Sequence, residues 1–251
     1  MTPHAEITEL HTGLMRLSLA LEDSRAYFAS VDPSMPLAAR LNTAFEQRWF
    51  GPKSAARVTY LLRKFAFRYD QFPSALDALR RWTQMEPDAR RLVCHWHVQL
   101  TDPLYRAFTG QYLVQRRAGP RPTIDYDTVV RWMNDQFASR WSVASCRQFA
   151  SKLLSAAHEA GLVTTTLDPR PLVTPRVSNT ALQYLLYLLR ETHFEGSLLD
   201  NPYLASVGLM GPALEDRLSH LSSVHFSRMA QLKDLTWAFP DLRTWAEAVL
   251  T

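Results

Sequence analysis

Apolar residues recur every three or four positions along most of the chain, which is the spacing of one face of an α-helix. Prolines divide this pattern into segments, because proline cannot continue a helix but suits its first turn. A short first helix is predicted to open at Thr2-Pro3. Six more helices are predicted over residues 20–31, 36–49, 55–69, from Pro73 onward, 88–100 and 103–115. The first 117 residues are therefore predicted to form one helical domain.

Residues 118–122 interrupt the helical pattern with the sequence Ala-Gly-Pro-Arg-Pro. Two prolines and a glycine within five residues cannot continue a helix and favour an extended connection. We therefore predict a linker at 118–122 that follows the helical domain of residues 1–117.

The next stretch predicts two helices joined by a tight turn. Asp125 can cap the first helix, and Ser142 can cap the second after a turn at residues 139–141. The second helix is predicted to end at Gly161, since glycine suits the left-handed conformation that often follows a helix. Its apolar stripe consists of Val143, Cys146, Phe149, Ala150, Leu153, Leu154 and Ala157.

Two short β-prone runs, residues 162–166 and 172–174, follow this helix on either side of a proline-containing turn at 167–171. Such a pattern predicts a small β-hairpin. Helix, turn, helix and hairpin is the order of a winged helix-turn-helix, in which the second helix enters the major groove and the hairpin forms the wing. We assign this unit to residues 123–178.

The last part of the chain, residues 179–251, predicts a helical region that packs on the rest. Its first helix follows a cap at Ser178 and has so little polar surface that it should be covered on both sides. This first helix is predicted over 179–192 and further helices over 199–207, 212–221 and 241–250, with a hairpin over 226–237.

Composition supports a mainly α protein. Hydrophobic residues make up 47% of the 251 positions, which is enough for a sizeable core, and alternating strand patterns are scarce. Cys94 and Cys146 are too few for a disulfide framework, and we expect a reducing, cytoplasmic location. The longest apolar stretch, residues 181–189, has about half of the roughly 20 residues that a membrane-spanning helix needs. No membrane association is predicted.

The basic residues consist of four lysines and 24 arginines, and arginine is the cation best suited to phosphate. On the second helix of the predicted winged unit, the positions off the apolar stripe carry no carboxylate before Glu159. We predict a surface that binds duplex DNA, formed by Arg131, Arg140, Ser142, Ser145, Arg147, Gln148, Ser151, Lys152, Arg170 and Arg176. A second basic surface is predicted on the helix that carries Arg57, Arg63, Lys64 and Arg68.

Catalytic and metal-binding signatures are scarce. The run Cys94-His95-Trp96-His97 contains zinc-binding residue types, but adjacent helix positions point about 100° apart and no second pair closes a tetrahedron. Carboxylates are not clustered for Mg²⁺, and phosphate-binding loops and nucleophile elbows are missing. We expect a protein without enzymatic activity, metal, cofactor or small-molecule substrate.

Several short phrases resemble the BrxA family of bacteriophage exclusion (BREX) systems, and the resemblance extends from about Leu21 to Trp245. The first of these phrases runs from Ala55-Ala56-Arg57 through Leu61-Leu62 to Phe67-Arg68-Tyr69. The others are residues 101–108, 141–162 and 201–204. The resemblance implies a helical body with a winged helix, binding of double-stranded DNA, and work beside a methyltransferase, an ATPase and other defence proteins. The family has no catalytic residues to assign here.

The leading hypothesis is a DNA-binding component of a BREX system with little sequence preference. A winged helix can also serve as a protein-protein adaptor, because fold alone does not fix function. A third hypothesis is a sequence-specific transcriptional repressor, which normally requires a dimer on palindromic half-sites.

Overall fold

The protein is described by a computed structural model that covers residues 4–229 and 232–250. Its mainly helical class is confirmed. The first part of the chain contains β1 (His4–Ala5), α1 (Gly13–Arg16), α2 (Leu21–Ser30), α3 (Leu37–Glu46), α4 (Ala55–Phe65), π1 (Ala66–Asp70), α5 (Pro73–Arg81), α6 (Pro87–Thr101), α7 (Pro103–Ala107), π2 (Phe108–Tyr112) and α8 (Leu113–Arg117).

The boundaries follow local chemistry. Ser54 caps α4 by accepting a hydrogen bond from the backbone N–H of Arg57, and Asp102 caps α7 by accepting one from Tyr105. Prolines occupy the first position of α5, α6 and α7. The helix expected near Pro3 falls partly outside the described residues, and the described chain begins there with β1.

The middle of the chain contains β2 (Thr123–Ile124), α9 (Tyr126–Phe137), α10 (Val143–Glu159) and β3 (Arg170–Pro171). The last part contains α11 (Asn179–Arg190), β4 (Thr192–His193), α12 (Pro202–Ser206), α13 (Gly211–Ser219), β5 (Val224–Met229), β6 (Leu232–Trp237) and α14 (Leu242–Val249). The predicted two helices after the linker and the predicted C-terminal hairpin are both present, although residues 230–231 of the hairpin lie outside the described ranges.

The described residues contain three small sheets of two strands each, and two of these sheets join segments that are distant in sequence. β1 runs parallel to β4, so the start of the described chain is joined to the segment after α11. β2 pairs antiparallel with β3. β5 and β6 form an antiparallel hairpin in which Val224 lies opposite Trp237.

Helix α6 lies at the centre of the molecule, and its residues from Leu92 to Thr101 are all buried. Trp96 and Leu100 belong to a hydrophobic cluster that also includes residues of α2, α4, α5 and the C-terminal helices α11 to α14. Cys94 and Val98 belong to a second cluster with α1, α7, α9 and α10. A helix that is buried on all sides in this way joins the two clusters into one body.

The second cluster includes residues from both sides of the predicted linker at 118–122, such as Phe108 and Phe149. Each fully buried aromatic side chain stabilises the fold by roughly 1.5–3 kcal/mol relative to an exposed one. The division into domains at 1–117, 123–178 and 179–251 stays a prediction.

Helix α11 is buried almost throughout, as its sequence predicts. Ser178 caps it by accepting a hydrogen bond from the backbone N–H of Ala181, and the residues from Ala181 to Leu189 are all buried. Its position in the first cluster places a C-terminal helix inside the core built by the N-terminal helices.

Candidate nucleic-acid interface

The pair formed by α9 and α10 carries most of the predicted DNA-contacting residues. Asp125 accepts hydrogen bonds from both the backbone N–H and the hydroxyl of Thr128, each at 2.7 Å, and so fixes the start of α9. Burial acts to raise the pKa of Asp125, but these hydrogen bonds outweigh it and lower the pKa below its usual value. The carboxylate therefore stays ionised and caps the helix across the physiological range.

A series of aromatic contacts holds the turn between the two helices. Trp132 stacks on Tyr112 of π2 with ring centroids 4.9 Å apart, and its edge meets Phe137 at 5.6 Å. Phe137 contacts Trp141, which lies 4.4 Å from the ring of Phe149 on α10. Aromatic pairs of this kind contribute roughly 0.5–1.5 kcal/mol each beyond the area that they bury. The angle between α9 and α10 is therefore set by packing.

Helix α10 separates into a buried and an exposed face. Ser142 caps it through a hydrogen bond from the backbone N–H of Ser145 at 3.2 Å. The predicted stripe is buried from Cys146 onward, but Val143, in the first turn, is 58% exposed. After the helix, Gly161 adopts a φ of 73°, which confirms the left-handed residue expected there.

The exposed face of α10 carries hydrogen-bond donors and positive charge. Arg147, Gln148, Ser151 and Lys152 are exposed, and Ser145 is partly exposed. Within the described ranges, neither Arg147 nor Lys152 is in a salt bridge with a carboxylate. These cationic groups are therefore available to an anionic partner.

The first acidic residue of α10 is directed toward another part of the protein. Glu159 accepts a hydrogen bond from the hydroxyl of Ser18 at 2.6 Å and one from the backbone N–H of Ala20 at 3.1 Å. Its charge is thereby satisfied internally, which leaves the exposed face of α10 free of carboxylates over four turns.

Arg131 and Arg140 flank the helix pair. Arg131 is exposed and donates a hydrogen bond to the hydroxyl of Thr128 at 3.1 Å. Arg140 lies in the turn, donates to the carbonyl of Leu10 at 2.8 Å, and has its guanidinium 6.0 Å from the ring of Trp141. Both side chains are positioned by the protein and keep exposed surface.

The segment expected to form the wing differs from a regular hairpin. Residues 162–166 and 172–174 pair through a single bridge between Val163 and Leu172, and β3 pairs instead with β2. Residues 164–169 adopt no strand, and backbone pairing with Thr123–Ile124 begins at Arg170. The segment at Val163, the segment from Arg170 to Leu172 and β2 thus lie side by side. The loop at 164–169 is largely exposed beside them.

Arg170 lies in β3 at the end of this loop and not at its tip, where the sequence places it. Its side chain is 13% exposed, and its Nε donates to Asp168 Oδ1 at 2.7 Å. Asp168 Oδ2 accepts a second bond from the backbone N–H of Tyr126, which ties the loop to α9. Leu167, at 76% exposure, is the prominent side chain of this loop.

Arg176 is exposed but follows the loop at some distance in sequence. It lines a shallow groove with Ser178 and Asn179 at the start of α11 and with Arg217 and His220 at the end of α13. Arg176 therefore borders the C-terminal helices as well as the predicted winged unit.

The second predicted basic surface, on α4 and π1, is retained in part. Arg57 and Arg63 are exposed and Lys64 is partly buried. Arg68 is the exception, because its guanidinium is buried and donates to the carbonyls of Ser18 and Leu19 at 2.8 Å each. Arg68 holds the chain segment before α2 and is not part of an exposed basic face.

The Cys94-His95-Trp96-His97 run forms part of the core. His95 bonds to the hydroxyls of Tyr105 at 2.8 Å and Ser206 at 2.9 Å, and His97 bonds to the hydroxyl of Tyr184 at 2.7 Å. Burial lowers the pKa of each histidine to about 3. In the part of the chain that the structure describes, no three metal-binding side chains come together.

One cavity brings together residues that sequence reasoning did not connect. It lies between α1, α4, π1 and α6, has a volume of about 290 Å³, and includes His11, Lys64, Phe67 and Asp102 in its wall. Asp102 also caps α7 by accepting the backbone N–H of Tyr105. The residues come from segments up to 91 positions apart, as for His11 and Asp102, so no local motif marks the cavity.

Comparison with known proteins identifies a structural likeness. No model of a protein family matches this chain, and no curated protein matches it. A crystal structure of an uncharacterized protein from Magnetospirillum magneticum is similar with a TM-score of 0.56 and 16% sequence identity. The match covers 73% of this chain and 98% of that chain. The two proteins therefore share a fold.

None of the described helices combines the length and the apolar character required to cross a membrane.

Proposed function

We propose that this chain binds double-stranded DNA with little sequence preference and without catalysis, through a winged helix-turn-helix at residues 123–178. The observation that carries the proposal is the exposed face of α10, which presents serine, arginine, glutamine and lysine side chains while Glu159 is bound to Ser18 and Ala20. An α-helix fits the major groove, and phosphate contacts from such side chains position a protein on the duplex.

Phosphate contacts account for the expected lack of sequence preference. The face offers Arg147 and Lys152 as cations, and most of its other members are small hydroxyl side chains with short reach. Bidentate base recognition usually needs arginine, asparagine or glutamine aimed at base edges, and Gln148 alone represents the amides here. Backbone and shape contacts therefore dominate the proposed complex.

We extend the proposal to the biological setting on the resemblance of the sequence to the BrxA family. In that setting the chain would act in phage defence beside a methyltransferase and an ATPase, with duplex DNA as its ligand. Support for this step comes from the sequence phrases at 55–69, 101–108, 141–162 and 201–204. The DNA-binding proposal rests on α10 and does not depend on this resemblance.

An adaptor function is the second candidate, and one observation favours it. Val143 at the start of α10 and Leu167 in the following loop are 58% and 76% exposed, which places two apolar side chains on the same unit. Docking of a protein through apolar contacts would depend little on salt, whereas phosphate binding depends on it strongly.

The testing experiment is a salt titration of binding to unrelated duplexes and to single strands. With four to six phosphates neutralised, the log-log slope of duplex affinity against salt should be about −4 to −5. Similar affinities for unrelated duplexes are expected. No duplex binding at low salt would overturn the proposal in favour of the adaptor, and binding confined to one sequence would favour the repressor.

A further inference from the structure

The cavity of about 290 Å³ between α1, α4, π1 and α6 is separate from α10 and has a mixed lining. Leu14, Leu17 and Val98 form an apolar wall, while Asp102, Lys64 and His11 contribute polar groups. Its volume lies near the lower end of the range for small-ligand cavities, roughly 300–1,000 Å³. Its wall includes a π-helical turn, π1, a feature that often marks functional sites.

A buried carboxylate lies against this cavity. Asp102 is 4% exposed; its Oδ1 accepts the bond from Tyr105 that caps α7, while its Oδ2 is 3.7 Å from His11 Nδ1. His11 Nδ1 accepts a hydrogen bond from the backbone N–H of Gly13 at 3.1 Å, and its Nε2 lies 2.7 Å from the carbonyl of Thr101. Both ring nitrogens of His11 therefore have backbone partners, and neither lies within hydrogen-bond distance of Asp102 Oδ2.

The cations nearby do not neutralise this carboxylate fully. The guanidinium of Arg68 is directed to the carbonyls of Ser18 and Leu19. Burial raises the pKa of Asp102, and hydrogen bonds from the backbone N–H groups of Tyr105 and Leu14, together with nearby charge, offset that effect only in part. A ligand in the cavity that donates a hydrogen bond to Oδ2 would stabilise this buried carboxylate further.

An aromatic side chain forms one edge of the cavity. Phe67 is 42% exposed, although phenylalanine is usually buried, and its ring meets His11 edge to face at a centroid distance of 5.8 Å. Such an exposed ring, fixed by a neighbour, is suited to stacking on a flat ligand.

A groove continues from the cavity along α4. It has a volume of about 630 Å³, shares Lys64 and Phe67 with the cavity, and is also lined by Tyr60 and Arg63. Within the described ranges, Lys64 and Arg63 are in no salt bridge. The groove therefore adds two positive charges beside the aromatic edge, where an anionic group of a ligand would be stabilised.

We infer that this cavity and groove bind a guanine nucleotide, with the base in the cavity and the phosphate in the groove. Guanine presents two adjacent N–H donors on its Watson–Crick edge, which match the carboxylate of Asp102. Adenine presents a ring acceptor at the equivalent position, which a carboxylate repels. Phe67 stacks on the base, and Lys64 and Arg63 bind the phosphate.

The same chemistry is present in a free nucleotide and in a terminal guanosine of a nucleic acid strand. The experiment therefore measures binding of GMP, AMP and a single-stranded oligonucleotide with a 5′-phosphorylated guanosine by calorimetry. We expect GMP to bind at least tenfold more tightly than AMP, because guanine places a ring N–H donor against the carboxylate where adenine places a ring acceptor. If the oligonucleotide competes with GMP, the site is assigned to a strand end. If the oligonucleotide does not compete, the site is assigned to the free nucleotide.

Three variants test the assigned contacts. Asp102→Asn keeps an oxygen for the α7 cap but removes the anionic acceptor, and we expect at least a tenfold loss of GMP affinity. Lys64→Ala and Phe67→Ala, on the partly open side of the site, should each weaken GMP binding severalfold without unfolding the protein. If Asp102→Asn does not fold, as judged by circular dichroism, the other two variants still test the inference.

Matched controls separate this site from the DNA surface. Phe45 is a phenylalanine on α3 with a similar exposure of 48%, and Lys152 is the lysine on the exposed face of α10. Phe45→Ala and Lys152→Ala should leave GMP affinity unchanged, while Lys152→Ala weakens duplex binding. No binding of GMP at millimolar concentration, equal binding of GMP and AMP, or unchanged affinity in Lys64→Ala and Phe67→Ala would overturn the inference, whatever the result with duplex DNA.

Discussion

The hydroxyl of Ser18 donates a 2.6 Å hydrogen bond to Oε1 of Glu159, so the end of α10 is held by the chain segment that precedes α2. The other oxygen of Glu159 accepts the backbone N–H of Ala20, whose φ of 50° lies in the left-handed region. One side chain therefore both positions α10 and supports a backbone conformation that alanine rarely adopts.

Replacing Glu159 should destabilise the fold. Glu159→Ala leaves two donors without their acceptor, and we expect the free energy of unfolding to fall by about 1–3 kcal/mol. Urea unfolding followed by circular dichroism measures the change. Glu247→Ala is the control, because Glu247 is exposed and forms a surface ion pair with Arg81 that contributes roughly 0–1 kcal/mol. Equal losses in the two variants would contradict the prediction.

Charge reversal on α10 should weaken DNA binding. Arg147→Glu combined with Lys152→Glu replaces two exposed cations by anions, and we expect at least a tenfold loss of duplex affinity, about 1.4 kcal/mol, for all sequences. The matched control is Arg57→Glu combined with Arg63→Glu, which changes the net charge by the same amount on α4.

The comparison of the two double variants decides which basic surface binds the duplex. We expect the α4 variant to lose much less affinity than the α10 variant in a fluorescence anisotropy titration. A folded α10 variant that binds like the parent would remove α10 from the interface, and a large loss in the α4 variant would assign the duplex to α4.

Stability should fall when the pH drops below about 6.5. Burial lowers the pKa of His95 and of His97 to about 3, whereas in the unfolded chain histidine titrates near 6.5. The unfolded chain therefore binds protons between these pH values that the folded protein does not. The contribution of each histidine to the free energy of unfolding is fully present above the histidine pKa of the unfolded chain. As the pH falls below that value, each histidine loses up to about 1.4 kcal/mol of this contribution per pH unit.

Urea unfolding at several pH values between about 7.5 and about 5 measures this slope. His97→Gln removes one titrating group and should reduce the slope, whereas His225→Asn changes an exposed histidine and should not. The prediction fails if the stability of the parent is flat across this range or if His97→Gln leaves the slope unchanged.

Gly110 in π2 is expected to tolerate no side chain. A Cβ atom at this position would lie 2.8 Å from the carbonyl oxygen and 2.9 Å from the Cα of Pro202, which belong to a rigid backbone. We expect Gly110→Ala to lower the free energy of unfolding by about 1–3 kcal/mol through overpacking. Gly119→Ala, whose Cβ would meet only the Arg116 carbonyl at 3.3 Å, should have a smaller effect. Thermal melting of both variants makes the comparison.

Local sequence signals determined where several helices begin. Asp125, Ser142 and Ser178 all cap the helices that the sequence predicts for them, because a cap needs only a hydrogen bond to a residue three positions along, and Ser54 caps α4 in the same way. Helix α11 was also predictable as buried, since its own residues leave almost no polar surface. The spacing of apolar residues at every three or four positions was sufficient to predict the mainly α class.

The positions of several side chains depended on the tertiary structure. Arg68 has the sequence pattern of a solvated helix face, but it is buried on the carbonyls of Ser18 and Leu19, about 50 residues away. Arg170 pairs with Asp168, and β3 pairs with β2 across the whole helix pair. The cavity between His11, Lys64 and Asp102 forms only when three distant segments pack. Hydrogen bonds within one turn are fixed by neighbouring residues, whereas contacts between distant segments follow from how whole helices bury their apolar faces.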